Sequence, residues 1–224
     1  MNRAEIRKRI LAENDECASR LKSGFDETGT LVVDIVSSPG AGKTSLLEET
    51  SRRLSQELGM GALVGDIATE MDAERLRSAN LPAHQIVTGG ACHLDARMVE
   101  EGLQHCAFLP VDLLFLENVG NLVCPASYAL GEDFKVVLLS VTEGEDKPFK
   151  YPAIFSKAKV AVITKVDLLP QLSFDLERVE EQIRTLCRDV RILRVSAWSG
   201  EGMEEWCRLM QQEQARKRQT VGAN

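Results

Sequence analysis

Short apolar runs, several rich in β-branched residues, alternate along this chain with stretches in which apolar residues recur every three or four positions. The runs at residues 31–36, 62–67, 84–87, 111–116, 134–140, 160–163 and 191–195 predict strands, and most are apolar enough to be covered on both faces. Helical spacing predicts helices over residues 4–22 (Ile6, Ile10, Leu11, Ala18, Leu21), 43–58 (Leu46, Leu47, Leu54, Leu58), through Met98, Val99 and Leu103, over 176–186 (Val179, Ile183) and over 203–210. A further short helix is predicted to begin near Thr69, capped by Thr69 or Asp72. The small and polar residues 23–29 read as a turn between the first helix and the first strand. Strands alternating with helices in this way predict an α/β fold, a mostly parallel sheet with helices on both faces. Three segments follow: an appended helix and turn at 1–29, one nucleotide-sized domain at 30–212, and a polar tail at 213–224.

Composition narrows the class. With 44% hydrophobic and 27% charged residues over 224 positions, the chain reads as globular, and no apolar run approaches a membrane span. Residues 1–10 interleave charge with isolated apolar positions, so no secretory leader is expected and the expected location is cytoplasmic. A net charge of −7 argues against nucleic acid as a partner, and the basic Ala215-Arg216-Lys217-Arg218 run reads as solvated tail. The six cysteines are not densely spaced, which leaves buried thiols or a metal site.

The polar motifs fall at the carboxyl ends of the predicted strands, where open α/β sheets bind ligands. The first is Ser37-Ser38-Pro39-Gly40-Ala41-Gly42-Lys43-Thr44, between strand and helix. It has the context of a phosphate-binding loop of the P-loop NTPase type, in which turn N–H groups and a helix N-terminus face phosphate oxygens. Pro39, Gly40, Ala41, Gly42, Lys43, Thr44 and Ser45 are the candidate nucleotide contacts, with the Lys43 ammonium on the outer phosphates and the Thr44 hydroxyl on Mg²⁺. Ser37 stands where such loops usually begin with glycine, a replacement tolerable where the backbone needs no positive φ.

Thr164-Lys165-Val166-Asp167 ends a later strand. The Asp167 carboxylate offers two acceptors to the N1–H and 2-amino donors of guanine, a donor pair adenine lacks. Lys165 would lie over the purine face, and Ser196-Ala197 at the next strand end would bring backbone N–H groups to the guanine carbonyl. Thr164 occupies a position that is usually Asn. For hydrolysis of GTP to GDP, Lys43, Asp66 and Glu117 are the candidate catalytic groups, and Thr44, Asp66 and Glu117 the candidate Mg²⁺ ligands. Either acid could orient water.

Cys92-His93 and Cys124-Pro125 follow the segments ending in Asp66 and Glu117. Thiolate and imidazole suit Zn²⁺ and also Ni²⁺. One chain supplies three such ligands, so a two-fold homodimer sharing Cys92 and Cys124 would complete a site; the alternative is buried thiols, the reading given to Cys17, Cys106, Cys187 and Cys207. His84 and His105 carry no assignment.

The segments at 65–73, 88–96 and 117–126, which include Gly65-Asp66-Ile67, Thr88-Gly89-Gly90-Ala91-Cys92-His93-Leu94-Asp95-Ala96 and Glu117-Asn118-Val119-Gly120-Asn121-Leu122-Val123-Cys124-Pro125-Ala126, resemble the nickel-incorporation GTPases of hydrogenase maturation, the HypB family. The likeness runs from about Leu31 to Trp206. It implies a metal-binding GTPase whose GTP-dependent dimer passes nickel to the [NiFe]-hydrogenase large-subunit precursor together with a second accessory protein. It also implies Ni²⁺ or Zn²⁺ ligation by Cys92, His93 and Cys124. The N-terminal cysteine motif and histidine-rich tract of some relatives are missing, so a separate nickel store is not expected. Urease accessory GTPases look similar but carry Cys-Pro-His, whereas Cys92 and His93 are adjacent here. A third reading is a nucleotide-gated protein-interaction switch with structural thiols.

Overall fold

The computed structural model describes residues 2–67 and 70–221, so Thr69, one of the predicted caps, lies outside the described residues. Seven strands form one parallel sheet: β1 (Leu31–Ser37), β2 (Met60–Asp66), β3 (Ala83–Val87), β4 (Leu113–Glu117), β5 (Phe134–Ser140), β6 (Ala158–Thr164) and β7 (Arg191–Val195), in the order β3-β2-β4-β1-β5-β6-β7. The helices are α1 (Arg3–Thr28), α2 (Lys43–Leu54), α3 (Met71–Ser78), α4 (Ala96–Leu103), the short α5 (Lys147–Lys150) and α6 (Pro152–Phe155), α7 (Leu176–Leu186) and α8 (Met203–Val221).

Because side chains alternate along a strand, β1 feeds two cores. Leu31, Val33 and Ile35 pack in one cluster with Leu46 and Leu47 of α2, Leu76 of α3 and Trp206 of α8. On the other face Val32 joins Phe25 of α1 and Val99 of α4, while Val36 joins Ile154 of α6 and Ile183 of α7. Helices therefore cover both faces, and β1 and β4 are buried at every position.

Four predicted boundaries move, the first two because packing outweighs local propensity. The turn expected at 23–29 is helical to Thr28: Phe25 is buried in the sheet's core, and only Gly29, at φ 68°, ends α1, with Thr30 N–H donating to Phe25 O at 3.0 Å. The expected polar tail from 213 continues α8 to Val221. Lys217, read as solvated, is 7% exposed, with its ammonium on Asp26 of α1 and, at 2.7 Å, on Asp133 ahead of β5. The third helix starts at Met71 with no side-chain cap, and Asp72 lies inside its first turn. The helix expected to reach residue 58 ends at Leu54.

Candidate functional site

Strand β1 ends at Ser37, and α2 begins six residues later at Lys43. The loop between them turns through Gly40 (φ 74°) and Gly42 (φ 95°), left-handed conformations that side chains beyond glycine seldom take. Ser37 is the last, buried residue of a regular strand and has no positive φ, so glycine's freedom is not needed there. Lys43 Nζ lies 3.4 Å from Ser37 Oγ, folded back over the loop. Thr164 Oγ1 donates to Ala41 O at 2.7 Å and Lys165 Nζ to Gly40 O at 2.7 Å, so the end of β6 braces the loop. On the far side Gly120 presses against it: a Cβ there would lie 2.9 Å from Pro39 N and Cα.

Thr44 Oγ1 donates to Glu117 Oε1 at 2.8 Å. Glu117 pairs in register with Ile35 on one side and Val64 on the other, so its side chain points to the α2 face, where Thr44 is. It is 2% exposed, and burial pushes its carboxyl up to about 7 despite the opposing pull of the Lys43 charge and the Thr44 hydrogen bond. The second oxygen, Oε2, is buried without a hydrogen-bond partner among the described residues. An unpartnered carboxylate oxygen beside a threonine hydroxyl at a phosphate loop fits a Mg²⁺ ligand pair, since hard cations take oxygen donors. Asp66, half-buried, ends β2; counting two residues past Val64 puts its side chain on the same sheet face as Glu117.

The residues expected to recognise a base lie at the ends of neighbouring strands, with Thr164 of β6 in register with Val195 of β7. Lys165 takes φ 60°, and Asp167 is half-buried in the turn that follows. One expectation changes: the Ser196 N–H is spent on Glu201 O at 2.9 Å, so of the expected Ser196-Ala197 pair only the Ala197 N–H stays open.

Cys92, His93 and Cys124 come together. Their ligand atoms lie within 4.8 Å of one another, the sole such group of three His, Cys, Asp or Glu side chains among the described residues. Both thiols are free, with Sγ atoms 2.9 Å apart, and Cys92 Sγ lies 3.8 Å from His93 Nδ1. Burial lowers the His93 pKa below its usual value, outweighing Asp95, so the ring is neutral and able to ligate at pH 7. Tyr128 backs it at 3.9 Å between ring centres. The Cys124 thiol is raised, first by the hydrogen bond from Cys92 and then by burial. Of the remaining cysteines, Cys17, Cys106 and Cys207 are buried and Cys187 is partly so.

Several side chains that sequence reasoning passed over join these parts. Asn118 Oδ1 accepts from Leu94 N at 3.1 Å while its Nδ2 donates to the buried Asp34 of β1 at 3.1 Å, tying the Cys92-His93 loop to the strand that leads into the phosphate loop. Asp34 also receives Lys135; burial alone would lower that lysine's pKa, but Asp34 and Glu132 together hold it protonated. Asn121 Nδ2 donates to Cys92 O at 3.0 Å. Asp72 is near enough for its charge to add to the rise at Glu117, and Arg75 binds Ser45 Oγ at 3.1 Å and Glu48 at 2.8 Å. Lys147 Nζ reaches Ser38 Oγ at 2.9 Å. Asn118, Asn121 and Asp72 lie in the motif-rich segments; Lys147 has no signal in its own neighbourhood.

Sheet order, phosphate loop and strand-end ligands define a P-loop nucleotide-binding protein of the parallel α/β type. Residues 31–194 match the CobW/HypB/UreG nucleotide-binding domain. Hydrogenase maturation factor HypB of Azotobacter chroococcum mcd 1 is 47% identical over 202 residues, 90% of this chain and 66% of that protein. The HypB crystal structure from Archaeoglobus fulgidus superimposes with a TM-score of 0.85 at 38% identity, covering 91% of this chain and 99% of that one. HypB from Helicobacter pylori in complex with nickel gives 0.86 at 36%, covering 91% and 96%. The chain belongs to the HypB family of hydrogenase maturation factors. It spans about two thirds of the length of the Azotobacter relative. No helix among the described residues is long and apolar enough to cross a membrane.

Proposed function

We propose that this protein is a GTP-hydrolysing metallochaperone that carries nickel, or zinc in its place, and assists nickel insertion into a [NiFe]-hydrogenase precursor. The observation that carries the reading is the segment from Glu117 to Cys124. It begins at the Thr44–Glu117 pair, touches the phosphate loop through Gly120 and ends in the cysteine–histidine cluster. Nucleotide and metal would thus act on one short piece of backbone.

Asp167 selects guanine, Gly40 to Thr44 cradle the phosphates, and Lys43 neutralises the outer ones. Thr44 and Glu117 would hold Mg²⁺, which would offset the phosphate charge. Asp66 and Asp72 stand as the acids able to orient water, since Glu117 would be committed to the metal. Cys92, His93 and Cys124 supply three ligands, and a closed tetrahedral site takes four, so a homodimer sharing thiolates across its axis would complete the cargo site. Exposed Val123, beside Cys124, suits such an apolar contact.

The hydrogenase precursor and a second accessory protein are the partners that family membership supports. The test is metal stoichiometry by equilibrium dialysis against Ni²⁺ and Zn²⁺: Cys92→Ala with Cys124→Ala is expected to lose the bound metal while still binding GDP. Unchanged stoichiometry would leave the nucleotide-gated interaction switch, with structural thiols, as the better reading.

A further inference from the structure

Trp198 is 91% exposed, the most exposed of the large hydrophobic side chains among the described residues. The chain's other tryptophan, Trp206, is fully buried and donates its indole N–H to Thr50 Oγ1 at 2.8 Å. Looseness does not account for the exposure, because the backbone around Trp198 is pinned. Ser196 Oγ accepts from Ser199 N at 3.0 Å, Ser196 O from Gly200 N at 2.9 Å, and Ser196 N donates to Glu201 O at 2.9 Å. A fixed loop therefore presents a bare indole to solvent, an arrangement suited to a flat ligand that covers it.

The register of the sheet says which ligand. Thr164 and Val195 are paired neighbours on β6 and β7. Three residues beyond the first comes Asp167, the guanine-edge acceptor, and three residues beyond the second comes Trp198. The two loops leave the sheet side by side, and Lys165, held by its bond to Gly40 O, closes the same region toward the phosphate loop. Asp167 reads the edge of a base but offers nothing to its faces.

We propose that Trp198 stacks on the purine face of the bound nucleotide, a specificity-determining contact that adds to the edge recognition by Asp167. The proposal rests on the guanine-nucleotide reading above. The two fused rings of a purine cover more of an indole than the single ring of a pyrimidine, and stacking tolerates changed exocyclic groups, so the indole would favour purines over pyrimidines and leave the choice among purines to Asp167.

The test uses the full chain with GDP, IDP, XDP and CDP as probes, in calorimetric titrations and by tryptophan emission. Trp198→Ala is expected to weaken GDP and IDP by the same factor, roughly tenfold, while Trp198→Phe stays within about threefold of the wild type. GDP is expected to quench emission in the wild type and not in Trp198→Phe, where Trp206 alone reports. Asp167→Asn exchanges an acceptor for a donor and should shift preference from GDP to XDP, whose C2 carbonyl accepts; Trp198→Ala in that background should weaken XDP by the same factor. Failure of the GDP-to-XDP shift would overturn the guanine reading. A normal shift with GDP affinity in Trp198→Ala within about twofold of the wild type would overturn the stacking alone, as would emission that ignores GDP.

Discussion

Glu117 is buried beside Thr44 with one oxygen unpartnered, and its carboxyl is raised from 4.5 to about 7. Between those values the folded protein keeps a proton that the unfolded chain has already released. Stability is therefore lost as pH rises through that window and levels off above about 7. At 1.36 kcal/mol per unit, the shift corresponds to about 3 kcal/mol of strain in the metal-free, nucleotide-free protein. Glu117→Gln has the same shape, keeps an acceptor for the Thr44 hydroxyl and is neutral throughout. The stability difference between the variant and the wild type should therefore grow in the variant's favour by about 3 kcal/mol from about pH 5 to about pH 8. Urea unfolding in EDTA across that range measures it. Adding Mg²⁺ and GDP at about 100 times Kd should stabilise the wild type by about 2.7 kcal/mol and the variant far less, closing most of the gap between them near neutral pH. Parallel stability curves with pH, or equal stabilisation by Mg²⁺ and GDP, would refute the assignment of Glu117 as a charge buried to await a cation.

Other outcomes follow from the same geometry. Gly120→Ala places a Cβ 2.9 Å from the Pro39 backbone, so it should cost about 1–3 kcal/mol in thermal or urea unfolding and weaken GDP binding in titration calorimetry. Lys217→Met strips a buried cation from Asp26 and Asp133, and because Lys22 still pairs with both carboxylates it should destabilise by only about 1–3 kcal/mol, which urea titration would register. Ni²⁺ binding to the cluster should weaken steadily as pH falls from about 8 to about 6, because thiols must lose protons to ligate, while the lowered His93 adds little above its ordinary pKa; competition with a chromophoric chelator reads this.

The sheet was legible because its strands are continuous apolar runs that need two covered faces, and β5 and β7 coincide with their predicted limits. Both ends of the chain were misread for one reason. Gly24 and Ser23 look like a turn, and the run at Ala215 to Arg218 looks solvated, until Phe25 and Lys217 are found packed against β1 and the approach to β5. Local propensity amounts to a few tenths of a kcal/mol per residue, and a buried Phe outweighs it. At the site, the candidate residues stood at strand ends and in the loops that follow them, where motif spacing could find them. The connecting groups Asn118, Asn121 and Lys147 act across long sequence separations, 84 residues in the Asn118–Asp34 bond and 109 in Lys147–Ser38, and such contacts leave no periodic trace.

In the proposed function one short segment, Glu117 to Cys124, serves both nucleotide and metal. Native mass spectrometry of the full chain with Ni²⁺, comparing GDP with a non-hydrolysable GTP analogue, reports nucleotide, metal count and oligomer in a single spectrum. One guanine nucleotide per chain is expected in both states, with a dimer favoured by the GTP analogue and a nickel count that differs between the two nucleotides and vanishes in the Cys92→Ala, Cys124→Ala variant. A nickel count that is the same with either nucleotide, or that survives loss of both thiols, would contradict that function.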